Sequence, residues 1–414
     1  MRELTASESI RINVTPWVIR SREEDMMKKP EELRETINTR YSIYTWIAVA
    51  LILMFNCQGQ GQMIKSQEGA TVISNKKKPV PTQALKMTLI EDLAIGKADD
   101  PETSFSEASS LAVDIEGTIF ILDSKNHNIK VYDKSGKLLR VIGKPGQGPG
   151  ELGLCSGIML TQNDQILVED ATNRRLALFN KSGEFIKNIS MIHTPGLISL
   201  VADSFGGFIG REMGFSEGNT EMFYEIKKYN QYLEPLFSLD KLTSPMLYPG
   251  SAKKINPFGF LCSYQIDENG RIYYGRGTEY KIWIYDQDGN HLRTITKEYD
   301  RVRVSKEYIN EILKRLNIAS SGISKPEDLL AFPEFFPPFQ FFLLDDQGQL
   351  YVRTFGKEYK KGEWTFDVFN PEGIFVSTFV INCALKIIKD GKAYGIEETE
   401  DGFSIVKRYS ISWE

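Results

Sequence analysis

Short apolar runs alternate with polar turn residues along the stretch Leu111–Gly143. Three of these runs, Leu111–Val113, Ile119–Ile121 and Ile129–Val131, are rich in β-branched residues, and a fourth begins at Leu138. Each gap between them contains glycine, asparagine or aspartate, the residues that favour tight turns. The pattern predicts four antiparallel strands joined as a meander.

The same order of apolar runs and turn residues recurs twice further along the chain without insertions. The second unit begins at Ile158 and the third contains Asp267, which aligns with Asp114 of the first unit. The matched positions share residue type: Ile119 with Ile166, Asp123 with Asp170, Gly136 with Gly183, Gly117 with Gly270 and Tyr132 with Tyr285. Because one such sheet cannot cover both of its own faces, the repeat predicts propeller blades or solenoid rungs.

Counting the units along the chain favours a closed ring of six. Five four-stranded units follow in order: Ser109 to Gly143, Cys155 to Ile192, Ser199 to Leu239, Phe258 to Lys297 and Phe339 to Val380. The last segment, Ala384 to Ser412, supplies only three strands, whereas Ala84 to Gly96 is an isolated strand. Pairing the two removes both exposed edges. We therefore predict an all-β, six-bladed β-propeller over 84–414, in which an N-terminal strand closes the last blade.

One segment, about 303–331 between blades four and five, departs from the strand pattern. Ser305 can cap a helix whose apolar stripe is formed by Tyr308, Ile309, Ile312, Leu313 and Leu316. A second short helix is predicted after Ser324, where Ser-Lys-Pro-Glu has capping-box form. This helical insertion either packs on one propeller face and buries its own stripe, or forms a lid or partner surface over the central channel.

Residues 1–57 contain the only long apolar run, Tyr41–Phe55, and are predicted to be a leader with a signal or anchor segment. The apolar core of this run is shorter than the roughly 20 residues that span a bilayer and suits a signal peptide. Cys57 follows it and resembles the lipid-attachment cysteine of bacterial lipoproteins. An uncleaved anchor and plain secretion are the alternatives. Residues 58–83 are polar and predict a flexible tether, so we expect an exported, membrane-anchored protein of the cell envelope.

Composition narrows the classes of partner. The formal net charge of -5 and the pI near 5.6 argue against nucleic-acid binding, which requires a basic face. The four cysteines include no Cys-x-x-Cys pair. The three histidines do not occupy equivalent blade positions, so no metal site is expected. We predict no cofactor and a monomer.

The first unit also resembles a known repeat. The stretches Ile121–Tyr132, Lys134–Lys137 and Gly143–Glu151, the last with the pattern Gly-x-x-Gly-x-Gly-x-Gly-Glu, are similar to the NHL repeat. The whole arrangement resembles exported bacterial six-bladed β-propellers of that superfamily. The resemblance implies the fold, but it leaves the activity open because this architecture hosts binding modules, lyases and hydrolases.

Candidate ligand-binding residues follow from the position of loops in a propeller. The loops between second and third strands lie on one face with the connections between blades, around the channel mouth. The candidates on this face are Asn126, His127, Arg174, Arg175, Arg276, Tyr280 and Arg353. An arginine fork suits a carboxylate or phosphate. The alternative is that the turn asparagines and aspartates bond their own backbone and the arginines are solvated.

Three functions remain compatible with these residues. The first is a non-enzymatic module that binds a small molecule, glycan or protein at its channel-mouth face. The second is a lyase or hydrolase acting on a sugar or peptide, although no residue can be assigned a catalytic role. The third is an interaction scaffold that uses the helical insertion.

Overall fold

The structure, a computed structural model, describes residues 63–67, 69–80, 85–96, 103–161, 163–246, 254–319, 329–356, 362–399 and 402–414. The predicted leader, Cys57 and the predicted second helix after Ser324 lie outside the described residues. Within those ranges, no helix combines the length and apolar character needed to cross a bilayer.

In the described part of the chain, twenty-six strands form six sheets, one for each predicted blade. Three strands precede blade one: β1 (Met63–Gln67), β2 (Ala70–Asn75) and β3 (Met87–Ile95). Blade one contains β4 (Ala108–Val113), β5 (Ile119–Asp123), β6 (Asn128–Tyr132) and β7 (Leu138–Ile142). Blade two contains β8 (Cys155–Leu160), β9 (Ile166–Asp170), β10 (Arg175–Phe179) and β11 (Phe185–Ser190). Blade three contains β12 (Leu197–Ala202), β13 (Phe208–Phe215), β14 (Glu221–Tyr229) and β15 (Pro235–Pro245).

The second half of the ring repeats this order. Blade four contains β16 (Cys262–Ile266), β17 (Ile272–Arg276), β18 (Lys281–Tyr285) and β19 (His291–Lys297). Blade five contains β20 (Phe341–Leu344), β21 (Leu350–Thr354), β22 (Trp364–Phe369) and β23 (Phe375–Ile381). Blade six contains β24 (Ala384–Lys389), β25 (Lys392–Glu398) and β26 (Ser404–Trp413), completed by β3.

Each of the first five blades begins with two strands that pack against both neighbouring blades. Strands β5 and β9 are buried along their whole length, which explains their nearly continuous apolar sequence. A tight turn joins the first strand to the second. In blade one, Gly117 adopts a φ of 83°, and the Asp114 carboxylate accepts a 2.8 Å hydrogen bond from the Thr118 amide. The repeated Asp-x-x-Gly pattern therefore fixes the turn.

The ring closes as predicted. The first strands β4, β8, β12, β16, β20 and β24 contact one another in a complete circle. Strand β3 pairs antiparallel with β26, from Met87 opposite Trp413 to Ile95 opposite Val406. The predicted six-bladed propeller and its closure by an N-terminal strand are confirmed.

The structure corrects the prediction of a flexible tether, because part of 58–83 is folded onto blade four. Strand β2 pairs in parallel with β19, and β1 pairs with β2, so this sheet has six strands. Ile73 is buried near Gly373 of blade five. Asn75 is also buried. Its amide donates to the carbonyls of Thr296 and Gly373, and its oxygen accepts from the Phe375 amide at 2.8 Å. The outer edge of β19 offers free backbone groups, and the backbone of β2 pairs with them.

The predicted helix between blades four and five is confirmed as α1 (Lys306–Ala319), with the Ser305 hydroxyl accepting a hydrogen bond from the Tyr308 amide. Tyr308 packs edge-on against Phe336, whose ring stacks on Phe355 of blade five at 4.0 Å. Phe258 contacts the same three rings. This aromatic cluster fastens the insertion to the face that carries the loops between second and third strands.

Candidate functional site

The turns after the second strands of blades one and two are held by buried aspartates. Asp170 accepts hydrogen bonds from the Asn173 amide group at 2.7 Å and from Arg175 Nε at 3.0 Å. Arg175 also donates to the carbonyls of Gln147 and Glu151 in the glycine-rich connection between the blades. The guanidinium of Arg175, predicted as a ligand-binding group, is therefore occupied by protein partners, and the residue stabilises the connection.

The neighbouring candidates Asn126, His127 and Arg174 lie on the same face. Asn126 donates from its amide group to Asp123 at 2.8 Å, which repeats the pairing seen in blade two. His127 Nδ1 lies 2.6 Å from the Gly153 carbonyl oxygen. Arg174 is exposed and has a positive φ of 49°. Two of the three are thus engaged in turn and connection contacts, and none lines either of the two cavities described below.

The candidates of blades four and five are distributed over three environments. Arg276 Nε lies 3.2 Å from the Asp240 carboxylate. Tyr280 is buried and donates a 2.8 Å hydrogen bond to Asp367. Arg353 lies over the ring of Trp364 at 4.5 Å. The structure therefore does not bring the seven predicted residues into one site, but it brings Arg353 and Tyr280 to two separate cavities.

The larger cavity, of about 1070 Å³, lies at the channel mouth between blades five, six and one. We call it the mouth cavity. Its walls come from the blade-one connection, helix α1, the inner strands and the blade-five hairpin. Its lining includes Glu107, Lys125, Tyr308, Gln340, Arg353, Trp364, Asn382, Ala384, Lys386, Glu397 and Glu398. Because Tyr308, Glu311 and Ile312 of α1 face it, the insertion forms one wall of the channel mouth.

Most charged groups of the mouth cavity already have protein partners. Glu107 lies 3.5 Å from Lys125 Nζ, and Glu397 lies 2.6 Å from Lys407 Nζ. Arg353 donates to the backbone carbonyl of Glu363 at 3.4 Å while its guanidinium lies over Trp364. Within the described ranges, two charged groups that line the cavity are exceptions. One is Glu398 on β25, and the other is Lys386 on β24, whose side chain is exposed. Burial nevertheless lowers the pKa of its amine, because the channel walls remove part of its hydration.

The second cavity, of about 750 Å³, lies between blades four and five, and we call it the interblade cavity. Its floor is a buried polar cluster in which Asp367 accepts from Tyr280 and Thr378, each at 2.8 Å, and pairs with Lys297 at 3.2 Å. Burial, together with the charge of Asp367, raises the pKa of Tyr280 well above its ordinary value. The polar groups of this cluster bond to one another. They therefore hold the floor of the cavity together and are not free to bind a ligand.

Two further charged residues, the buried Glu169 and the half-buried Arg211, lie on the second strands of blades two and three. Glu169 of β9 is 2% exposed and accepts a hydrogen bond from the Leu200 amide at 3.4 Å. Burial raises the pKa of its carboxyl, although the charge of Arg211 on β13 opposes that shift. Within the described residues, one oxygen of Glu169 and Nε of Arg211 have no hydrogen-bond partner.

Glu169 and Arg211 were not among the predicted site residues, although their sequence positions carry a signal. Both occupy the second-strand position that Arg353 fills in blade five and Leu122 fills in blade one, five residues after the turn position held by Gly117, Asp164, Gly206 and Gly348. Charged residues are unusual at a buried position that is apolar in another copy of the repeat. Here they mark the end of the blade interface that faces the channel.

Metal-ligand clusters and reactive thiols are two further kinds of site. Among the described residues, no group of three or more histidine, cysteine, aspartate or glutamate side chains is arranged to hold a metal ion. The thiols of Cys155, Cys262 and Cys383 are unpaired. Burial raises the pKa of the Cys155 thiol to about 12 and of the other two to about 11, which makes them poor nucleophiles.

Comparison with known families agrees with the fold. Residues 105–191 match the model of the family DUF5128, described as a 6-bladed beta-propeller. The chain is thus a six-bladed β-propeller by topology, and a family of that description covers its first two blades. A sequence relative, Protein brain tumor of Drosophila melanogaster, is 25% identical over 111 residues. That match spans 26% of this chain and 11% of the relative's length.

Solved structures with similar architecture include two from Bacteroides. The protein BF0058 of Bacteroides fragilis is 13% identical, with 83% of this chain and 100% of that chain covered and a TM-score of 0.49. A member of the duf4221 family from Bacteroides vulgatus is 14% identical, with 79% and 99% covered and a TM-score of 0.47. Virginiamycin B lyase from Staphylococcus aureus is 8% identical, with 79% and 99% covered and a TM-score of 0.40. At these identities the likeness concerns the fold alone.

Proposed function

We propose that this protein is a non-enzymatic binding module that captures a small polar ligand in the mouth cavity. The observation that carries the proposal is the cavity itself, about 1070 Å³ in volume and lined by glutamate, arginine, lysine, amide and aromatic side chains. Binding sites for small molecules typically occupy 300–1,000 Å³ and combine a few convergent polar groups with aromatic surface.

The helical insertion supports this proposal. Helix α1 is fixed by the aromatic cluster of Phe258, Tyr308, Phe336 and Phe355, and it turns Tyr308 toward the mouth cavity. A wall held by such stacked rings needs little rearrangement when a ligand enters, which lowers the entropic cost of binding. The insertion thus serves the cavity and does not need a separate protein partner to explain it.

We further propose that the module acts outside the cytoplasm, attached to the cell envelope. The apolar run Tyr41–Phe55 followed by Cys57 supports export and lipid attachment. Fatty-acid labelling of the wild-type protein and of Cys57→Ala tests the attachment. Equal labelling of the two proteins would contradict it.

Ligand-dependent stabilisation of the purified full-length chain tests binding. The probe is a library of monosaccharides, disaccharides, dipeptides and small carboxylates. A ligand present at 100 times its Kd stabilises the fold by about 2.7 kcal/mol, so at least one class is expected to raise Tm. Ala384→Trp places an indole ring in the mouth cavity beside Lys386 and should abolish the shift.

The matched control is Ala94→Trp, which adds the same side chain to an exposed position of β3 away from the cavity. It should retain the full shift in Tm. If no compound stabilises the protein, or if the shift persists in Ala384→Trp, the mouth cavity is not a binding site.

A further inference from the structure

Lys386 lines the mouth cavity from the inner strand β24 of blade six. Ala384 begins β24 and pairs with Ile396, at the end of the blade nearest the mouth. Lys386 follows two residues later, at a register shift between Leu385 and Ile387. Both Ala384 and Lys386 line the cavity. The ammonium group is therefore carried by a strand of the ring itself.

The amine of Lys386 has no partner among the described residues. No hydrogen bond or ion pair joins it to them, and only the nearby Cys383 contributes an electrostatic effect on its pKa. Glu107 and Glu397 pair with Lys125 and Lys407. Glu311, Glu363 and Glu398 also line the cavity, so within the described part of the chain Lys386 is a cation without an ion-pair partner in a lining that holds five carboxylates.

Such an arrangement favours one class of ligand. An ammonium that has lost part of its hydration regains stabilisation when an anion replaces the missing water. The carboxylates of the rim repel a multiply charged anion, but they accept hydrogen bonds from hydroxyl groups. The amides of Gln340 and Asn382, which also line the cavity, can donate to a hydroxyl oxygen.

We propose that the mouth cavity binds a small hydroxylated carboxylate, such as a sugar acid, whose carboxylate pairs with Lys386. The ligand's hydroxyl groups bond to Gln340, Asn382 and the carboxylates at the rim. This assignment rests on the proposed binding function. A neutral sugar leaves the amine of Lys386 unpaired, and an organic cation would lie beside it, so both are disfavoured.

Calorimetry on the full-length chain tests the assignment with three acids and their neutral counterparts. Galacturonate, glucuronate and gluconate are compared with galactose, glucose and sorbitol. At least one acid should bind the wild-type protein at least about tenfold more tightly than its neutral counterpart, as a charge-assisted hydrogen bond implies. Lys386→Met should remove this preference, and Lys386→Arg should restore it.

The control variant is Lys137→Met, which removes one positive charge from an exposed turn of blade one. It should bind the acids as the wild type does. If Lys137→Met loses as much affinity for the acids as Lys386→Met does, the loss comes from the change in net charge. That outcome would overturn the proposal.

The pH dependence separates pairing from a merely structural role. Pairing with a carboxylate requires protonated Lys386, whose pKa is lowered in the free protein. Affinity should therefore fall as the pH is raised through the pKa of the free amine, which lies below that of an exposed lysine. In Lys386→Arg the guanidinium stays charged, so the fall should disappear.

The outcomes distinguish this inference from the proposed function. Neutral sugars that bind as tightly as the acids, and lose binding in Ala384→Trp, would leave the binding function intact and overturn the role of Lys386. Binding of glucose 6-phosphate in place of all three acids would overturn the assignment of a carboxylate. Absence of any binding would overturn both.

Discussion

Single buried polar residues determine how successive blades are connected. Asp123 accepts hydrogen bonds from the amides of Ser106 and Glu107, and Asp170 accepts one from Gly153, so each aspartate secures the chain that enters its own blade. Arg175 adds a charged pair to this arrangement in blade two. These groups are buried and bond to one another. Their loss should therefore lower the stability of the fold and not act directly on ligand affinity.

The two adjacent arginines of blade two should differ sharply in their effect on stability. Arg175→Met leaves the Asp170 carboxylate buried without its cationic partner, so we expect the free energy of unfolding to fall by about 3–5 kcal/mol. Arg174→Met, at an exposed position, should change it by less than about 0.5 kcal/mol. Urea denaturation measures both. Similar small effects would show that Arg175 does not stabilise the connection.

At the scale of elements, β2 changes the architecture of one blade. The other five blades have four strands, whereas blade four gains two more on its outer edge. The side chain of Asn75 connects β2 to blade five by hydrogen bonds with the Gly373 carbonyl and the Phe375 amide. Lys76 then pairs with Glu298 at 2.6 Å. The segment before the propeller is thereby attached to two adjacent blades.

Removing the side chain of Asn75 should detach this strand. Asn75→Ala leaves two buried carbonyls and one buried amide without their partner, so we expect a loss of about 2–3 kcal/mol in the free energy of unfolding. Thr71→Ala, at an exposed position of the same strand, serves as the control and should cost less than about 1 kcal/mol. Hydrogen exchange of the β2 amides measured alongside denaturation should report their loss of protection. Unchanged protection in Asn75→Ala would contradict the attachment.

At the scale of the whole molecule, the ring depends on one seam between distant parts of the sequence. Strand β3 and the three strands of blade six come from opposite ends of the propeller, and eight residue pairs join β3 to β26. This closure also fixes the mouth cavity, because blades five, six and one surround it. Opening the seam should therefore disturb the cavity together with the fold.

A designed disulfide across the seam tests the closure and its register. Thr88 and Ser412 face each other in the pairing of β3 with β26, so the double variant Thr88→Cys/Ser412→Cys should cross-link on oxidation. The closed loop should stabilise the oxidised protein by about 2–4 kcal/mol relative to the reduced form. Ala94→Cys/Ser412→Cys, whose residues lie far apart along the pair, should not cross-link. Cross-linking of the control pair alone would contradict the register.

The strands were predictable because the residues of each strand and of its turn indicate the structure locally. In β5 and β9, continuous apolar residues end in a turn of fixed composition, and repetition makes the pattern visible several times. The helix α1 was predictable for the same reason, from Ser305 and its apolar stripe. Strand β2 was missed because a short edge strand has no repeat to match and becomes recognisable only beside β19.

The candidate site was predicted only in part. Arg353 and Tyr280 were named from their loop positions and do line cavities. Lys386 and Trp364 were not named, because they lie on an inner strand and a hairpin that the sequence gives no reason to associate. Tyr308 was named only as part of the apolar stripe of the helix, although a position of that helix over the central channel was one of the two alternatives. Arg175 was misjudged because its partner Asp170 and the glycine-rich connection meet it only after the blade has folded.

The local alternation of apolar and turn residues determined the strands, the turns and the number of blades, since these depend on neighbours within a few residues. Tertiary structure alone decided which polar side chains are satisfied by the protein and which remain available. Arg175 and Lys386 illustrate the difference: one meets a buried carboxylate, and the other meets an open cavity. Hydrogen-bond partners in a closed ring come from residues far apart in the chain, so the pattern of a single strand cannot specify them.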